Sequence, residues 1–222
     1  MTESRHIKDT LYGYFARIGR ATGSPKRLEI LDLLCQGRKT VQEIAKYAQL
    51  DEKNASAHLR VLHLAHLVEA QRSGKNVYYA IADEQVSQYW LATRSIAVGR
   101  FAEIERVVRS YFTERETMVT LDRQVLLGRA RKGEIVVLDV RPRTEYEQGH
   151  LPHARSIPLS ELEEQLFGLP RDLQIVAYCR GPYCVLSIEA IEILRKRGFN
   201  AVRLEDGVLE WRAAGFPIEH TP

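Results

Sequence analysis

The stretch LQIVAYCRGPYCVLS, Leu173–Ser187, decides how the second half of this 222-residue chain is read. Its apolar, β-branched opening, Leu173–Ala177, reads as a buried strand, and Ser187–Arg197 reads as a helix. Between them a short loop begins at Cys179 and closes at Cys184. A strand that delivers a cysteine into a loop feeding a helix admits four devices: a disulfide, a metal clip, a phosphate-binding loop or a reactive thiol.

Outward from that loop, Ile135–Val140 (IVVLDV), Ile175–Tyr178 and Ala201–Leu204 (AVRL) are short strand-like runs alternating with helices. Such alternation predicts a parallel sheet flanked by helices. Towards the N-terminus the period becomes helical. Leu28–Leu34 runs into Gly37, a helix stop, and Thr40-Val-Gln-Glu43 is a capping-box pattern with Val41, Ile44 and Ala45 on one face. A helix starting at Asp51 places Ala55, Leu59 and Leu62 on one side. Val68–Arg72, the turn Ser73–Asn76 and Val77–Ile81 read as a hairpin. Glu84–Glu116 reads as one long helix. The pattern changes near residues 114–122, giving two expected domains, 1–115 and 116–222. The expected fold class is multidomain: a mainly α winged helix-turn-helix with a β-hairpin wing, followed by an α/β domain.

With 45% apolar and 27% charged residues, the composition is that of an ordinary globular protein. No signal-peptide core and no long apolar run is present, so a cytoplasmic location with no membrane partner is expected. Three cysteines make no disulfide framework, and in a reducing compartment a cysteine pair points to reactivity. Residues 1–115 carry 18 Lys and Arg against 13 Asp and Glu, a net of +5, whereas residues 116–222 carry 14 against 16, a net of −2. The basic half hints at a polyanionic partner.

With Ala55, Leu59 and Leu62 turned inward, Lys53, Asn54, Ser56, Ala57, His58 and Arg60 fall on the exposed side of a helix that fits a major groove. Arg72, Lys75 and Asn76 on the hairpin suit phosphate or minor-groove contact. The stretch Ser56-Ala-His-Leu-Arg-Val-Leu62, with Leu67-Val68, Arg72 and Gly74–Tyr79, resembles the ArsR/SmtB family of bacterial repressors over roughly residues 10–112. The resemblance implies a double-stranded, palindromic DNA operator and a homodimer formed by the terminal helices. Leu11, Phe15 and Ile18, and Ala97, Phe101, Ile104, Val108 and Tyr111, have matching seam spacing. The chain departs from the metal-sensing members. Val41–Ala48 holds no thiol or histidine, and Gln85–Tyr111 holds neither Asp nor His. Soft metals need such ligands, so no metal or cofactor is expected there. Cys35 reads as plain core.

In the second half, Asp139-Val-Arg141, Glu145-Tyr146, Gly149-His150-Leu151, Ala154 and Ile157-Pro158 resemble the entry signature of rhodanese domains. Leu204-Glu-Asp-Gly207, Trp211, Gly215 and Pro217 resemble the closing one, so the likeness spans about residues 121–220. It implies a persulfide formed on Cys179. Only a thiolate attacks a sulfur donor, so a depressed thiol pKa is expected, helped by Arg180, by Gly181 letting the loop curl, and by the helix N-terminus. Phosphatase loops place an arginine six residues after the cysteine, where this chain has Val185. Cys184 either packs the helix or resolves the persulfide. Asp139 and Arg141 are expected to orient the loop. The expected function is a DNA-binding repressor that senses reactive sulfur species, such as polysulfide or thiosulfate, at Cys179. The alternative is a sulfurtransferase enzyme for which the winged helix serves location or dimerisation; an arsenic-oxyanion sensor ranks third.

Overall fold

A computed structural model describes residues 3–110, 118–119 and 122–221, with the backbone alone for 118 and 119. The chain forms two compact units that divide between Arg94 and Ser95. The boundary expected at 115/116 lies outside the described residues.

In the first unit α1 (Glu3–Thr22) precedes α2 (Pro25–Cys35), whose proline at the first turn has its backbone angle preset for a helix. Ile30, Leu31 and Leu34 of α2 are fully buried, and Cys35 is buried in the same helix. After the two-residue strand β1 (Lys39–Thr40), α3 (Val41–Ala48) opens on the expected capping box. Thr40 Oγ1 accepts the Glu43 N–H at 3.3 Å, and the Glu43 carboxylate accepts the Thr40 N–H at 2.8 Å. These bonds satisfy donors that a helix start leaves orphaned. The next helix, α4 (Glu52–Leu64), is capped by Asp51, which accepts the Asn54 N–H at 2.8 Å. Its Ala55, Leu59 and Leu62 are wholly buried, as their spacing requires.

The hairpin pairs β2 (Val68–Ser73) with β3 (Asn76–Ile81) in register from Val68↔Ile81 to Ser73↔Asn76. β1 adds to the other side of β3, which completes a winged helix-turn-helix. α5 (Glu84–Arg100) docks back on this unit: Trp90 Nε1 donates to Asp32 at 2.7 Å, and the Tyr89 and Thr22 hydroxyls bond at 2.7 Å.

The single helix expected from Glu84 onward is broken. Phe101 is extended (φ −111°, ψ 99°) and caps a separate helix, α6 (Ala102–Val108). Gly99, the weakest helix former of the run, lies two residues before the break. Tyr111 and the rest of that expected helix, to Glu116, lie outside the described residues.

The second unit is an α/β fold. Its strands are β4 (Met118–Val119), β5 (Ile135–Asp139), β6 (Arg155–Ser156), β7 (Gln174–Tyr178) and β8 (Ala201–Leu204). They pair in parallel in the order β4-β8-β7-β5-β6. Helices α7 (Arg123–Arg131), α8 (Arg143–Gln148), α9 (Leu162–Gln165), α10 (Leu186–Lys196) and α11 (Val208–Ala213) connect them. Period-two alternation splits the interior into two clusters. Val136, Leu138, Ile175 and Ala177 pack with Ala190, Ile191 and Leu194 of α10, and Cys179 belongs to this cluster. Ile135, Val137, Val176 and Tyr178 pack on the other face with Leu126 and Trp211. A strand buried on both faces reads as a continuous apolar run, and β5 does.

Candidate active-site loop and nucleic-acid interface

Cys179 follows the carboxyl end of β7, the edge of a parallel sheet where ligand sites collect. Tyr178, the residue before it, is anchored from below. Its hydroxyl donates to Asp139 Oδ2 at 2.6 Å and accepts the Leu151 N–H at 3.1 Å. Arg141 binds the same carboxylate at 2.6 Å and donates to the Gly149 carbonyl at 2.7 Å, with both side chains fully buried. Burial alone would discharge Arg141, but the adjacent Asp139 carboxylate raises its pKa above the ordinary value. Burial, then Asp139, pushes the Tyr178 phenol upward, so it stays a donor. Asp139 and Arg141 therefore hold the strand end that carries the cysteine.

The loop is fixed further by two arginine anchors and by two close glycine contacts. Arg180, expected beside the thiol anion, forms a fork with the buried Glu145 carboxylate of α8 at 2.7–3.1 Å. The cation whose field favours the Cys179 thiolate is instead Arg203 of β8, which is wholly buried. Arg203 donates to the Gly181 carbonyl at 3.2 Å, to the Pro182 carbonyl at 2.6 Å and to Ser187 Oγ at 2.8 Å. Gly181 has φ +133°, a conformation that suits glycine, and a Cβ there would meet the Glu210 carboxylate at 3.0 Å. Gly207 is held closer still: a Cβ would lie 2.6 Å from the Arg180 carbonyl carbon and 2.7 Å from the Gly181 nitrogen.

Cys179 is 1% exposed, and its sulfur lies 3.1 Å from Ser187 Oγ and 3.5 Å from the Cys184 carbonyl oxygen. Burial works against its ionisation, but hydrogen bonds from Cys184 and Ser187 and the charge of Arg203 outweigh it, and its pKa falls to about 7. The half-buried Cys184 moves the other way. Its hydrogen bond to Cys179, then burial, raises its pKa well above the thiol range. One proton is thus shared unequally, leaving Cys179 the nucleophile and Cys184 the protonated neighbour. The expectation of a depressed Cys179 thiol agrees with this geometry. Ser187 and Arg203 lie outside the motifs; an arginine inside the otherwise apolar strand AVRL is the one sequence signal that could have found Arg203, and Ser187 carries none.

In the first unit, Lys53, Asn54, Ser56, Ala57 and Arg60 are exposed along α4, and His58 is half-buried. Arg72, Lys75 and Asn76 are exposed on the hairpin. Asn54 is partly committed, since its carboxamide donates to Asp51 Oδ2 at 2.6 Å. Among the described residues no cluster of three or more His, Cys, Asp or Glu is placed to hold a metal, and no helix is long and apolar enough to cross a membrane.

Comparison with known proteins divides the chain in the same way. The family described as bacterial regulatory protein, arsR family, matches residues 24–70, and the rhodanese-like domain family matches residues 122–214. An HTH-type transcriptional regulator of Mycobacterium tuberculosis is 41% identical over 96% of this chain and 93% of its own length. A sulfurtransferase of Allochromatium vinosum is 29% identical over 38% of this chain and 78% of that one. The solution structure of a homodimeric winged helix-turn-helix DNA-binding domain from Mycobacterium bovis is 38% identical, covering 42% of this chain and 87% of that one, with a TM-score of 0.41.

Proposed function

Because the chain belongs to the ArsR-family transcriptional regulators that carry a rhodanese-like domain, we propose that it binds a palindromic operator as a homodimer and is switched by sulfane sulfur taken up at Cys179. The observation that carries this reading is the unequal thiol pair, a nucleophile poised near neutrality beside a proton-holding partner. The Cys179 thiolate attacks a sulfur of a polysulfide. One S–S bond forms at Sγ, one breaks, and the shortened polysulfide leaves with the electron pair. Cys184 then attacks Cys179 Sγ, forming a disulfide, and the outer sulfur departs as hydrosulfide that takes up the Cys184 proton.

Lys53, Asn54, Ser56, Ala57, His58 and Arg60 face the major groove in this reading, and Arg72, Lys75 and Asn76 meet the flanking backbone. The dimer is supported by α1, whose Ile7, Leu11 and Phe15 recur at helical spacing and are each about half exposed or more in the single chain (54%, 49% and 65%). Loading at Cys179 shifts operator affinity by a coupling of about 1–3 kcal/mol. The test is titration of DNA selected by the protein, before and after polysulfide treatment. If wild type and Cys179→Ser respond alike, the sensing reading fails.

A second reading, sulfur transfer to an external thiol, draws on the likeness to the Allochromatium sulfurtransferase. Steady turnover of thiosulfate with a thiol acceptor at enzyme-like rates would favour it. Cys184 weighs against it, because a neighbouring thiol that displaces the outer sulfur from Cys179 competes with any external acceptor.

A further inference from the structure

A thiolate at 1% exposure cannot draw its hydrogen bonds from water, so the protein must supply them. Ser187, in the first turn of α10, has one hydroxyl proton and lies between two partners. Arg203 Nε is 2.8 Å away on one side and Cys179 Sγ is 3.1 Å away on the other. A guanidinium can only donate, so Ser187 Oγ accepts from Arg203 and directs its own proton elsewhere. The neighbour in reach of that proton is the sulfur.

The geometry points to Ser187 as the catalytic hydroxyl that donates to the Cys179 sulfur, and to Arg203 as the positioning residue that turns this hydroxyl towards it. The same guanidinium holds the carbonyls of Gly181 and Pro182, so the loop oxygens are drawn towards β8 and away from an anionic sulfur. Burial lowers the Arg203 pKa, and the charge of Cys179 opposes that shift, which ties the two groups together across the loop. The Cys184 carbonyl accepts from the thiol and offers nothing to a thiolate. The Cys184 thiol donates to the sulfur as well, and beside it the Ser187 hydroxyl is a second donor, held in place by Arg203, that serves the thiolate without moving the backbone. This inference rests on Cys179 being the sulfur-accepting thiol, and extends that reading to the machinery that ionises it.

The test is the pH profile of Cys179 alkylation by iodoacetamide in the full chain, read peptide by peptide by mass spectrometry. Ser187→Ala is expected to move the midpoint up by about one pH unit and to slow labelling at neutral pH about fivefold, with the alkaline plateau unchanged. Ser187→Thr keeps a hydroxyl and restores the wild-type profile, whereas the isosteric Ser187→Val reproduces the alanine shift. Arg203→Lys keeps the charge without the guanidinium fork and shifts the midpoint in the same direction. A Ser187→Ala or Ser187→Val profile superimposed on wild type overturns the proposal, as does a shift shared by Thr and Val. A lowered alkaline plateau with an unmoved midpoint assigns Ser187 to packing alone and also overturns it. Sulfur loading is measured separately on wild type by persulfide mass. Absence of loading with a shifted profile removes the sensor reading and leaves the hydroxyl role standing, and loading with an unshifted profile does the reverse.

Discussion

The two units present their chemistry in opposite ways. On α4, most candidate DNA contacts are exposed while Ala55, Leu59 and Leu62 beneath them are sealed. On the loop after β7, the reactive sulfur is nearly inaccessible, and its partners Ser187 and Arg203 are fully buried. A surface that meets a polyanion needs charges in water, where they release counterions on binding. A thiol that must ionise near neutrality gains from fixed donors and a buried cation in a low-dielectric setting. Surface substitutions should therefore alter affinity with little cost in stability, while loop substitutions should alter both.

The largest departure is expected at Asp139→Ala. It strands the buried Arg141 without its carboxylate, and the loss should be about 3–5 kcal/mol of unfolding free energy by denaturant titration. A loss below 1 kcal/mol would break the contrast between the units. Next is Gly207→Ala, whose methyl must displace backbone of the active loop. About 1–3 kcal/mol of destabilisation should accompany a changed Cys179 labelling rate, measured by melting and alkylation.

The thiol itself gives a pH signature. Its folded pKa of about 7 is depressed from an ordinary 9.0, so its contribution is complete above the unfolded value and vanishes as pH falls through about 7. The stability of wild type relative to Cys179→Ser should accordingly rise between pH 7 and 9 and be flat in acid. A gap that does not change with pH would show that the sulfur gains nothing from its surroundings. The smallest stability effect belongs to the DNA face. Arg60→Ala or Lys75→Ala should leave unfolding within about 0.5 kcal/mol of wild type, while the slope of log affinity against log salt falls by about one. If either substitution destabilises the fold as much as a loop change, the contrast disappears.

Much of this was legible beforehand because it follows from local rules. The capping box at Thr40 and Glu43, the inward stripe Ala55–Leu59–Leu62 and the turn at Gly74 each depend on residues a few positions apart. The alternating strands of the second half were equally readable, as was the depressed thiol. The cation was misassigned because sequence proximity favoured Arg180, whereas the fold turns that side chain to Glu145 and brings Arg203 from 24 positions away. Such a pairing is made by the parallel register of β7 with β8, which no short-range pattern encodes. The helix break at Phe101 was missed for a different reason. Helical periodicity continues on both sides of it, and one extended residue leaves little trace in composition.

The contact at Gly207 has a consequence for engineering. The entrance to α11 and the backbone of Arg180 and Gly181 fit together with no room for a methyl group between them. Loop and closing segment therefore form one transplantable unit. A chimera that moves Cys179–Ser187 onto another scaffold of this fold should retain its thiol chemistry only if residues 203–210 travel with it, bringing the Arg203 guanidinium, Gly207 and the Glu210 carboxylate that accepts the Gly207 N–H at 2.9 Å.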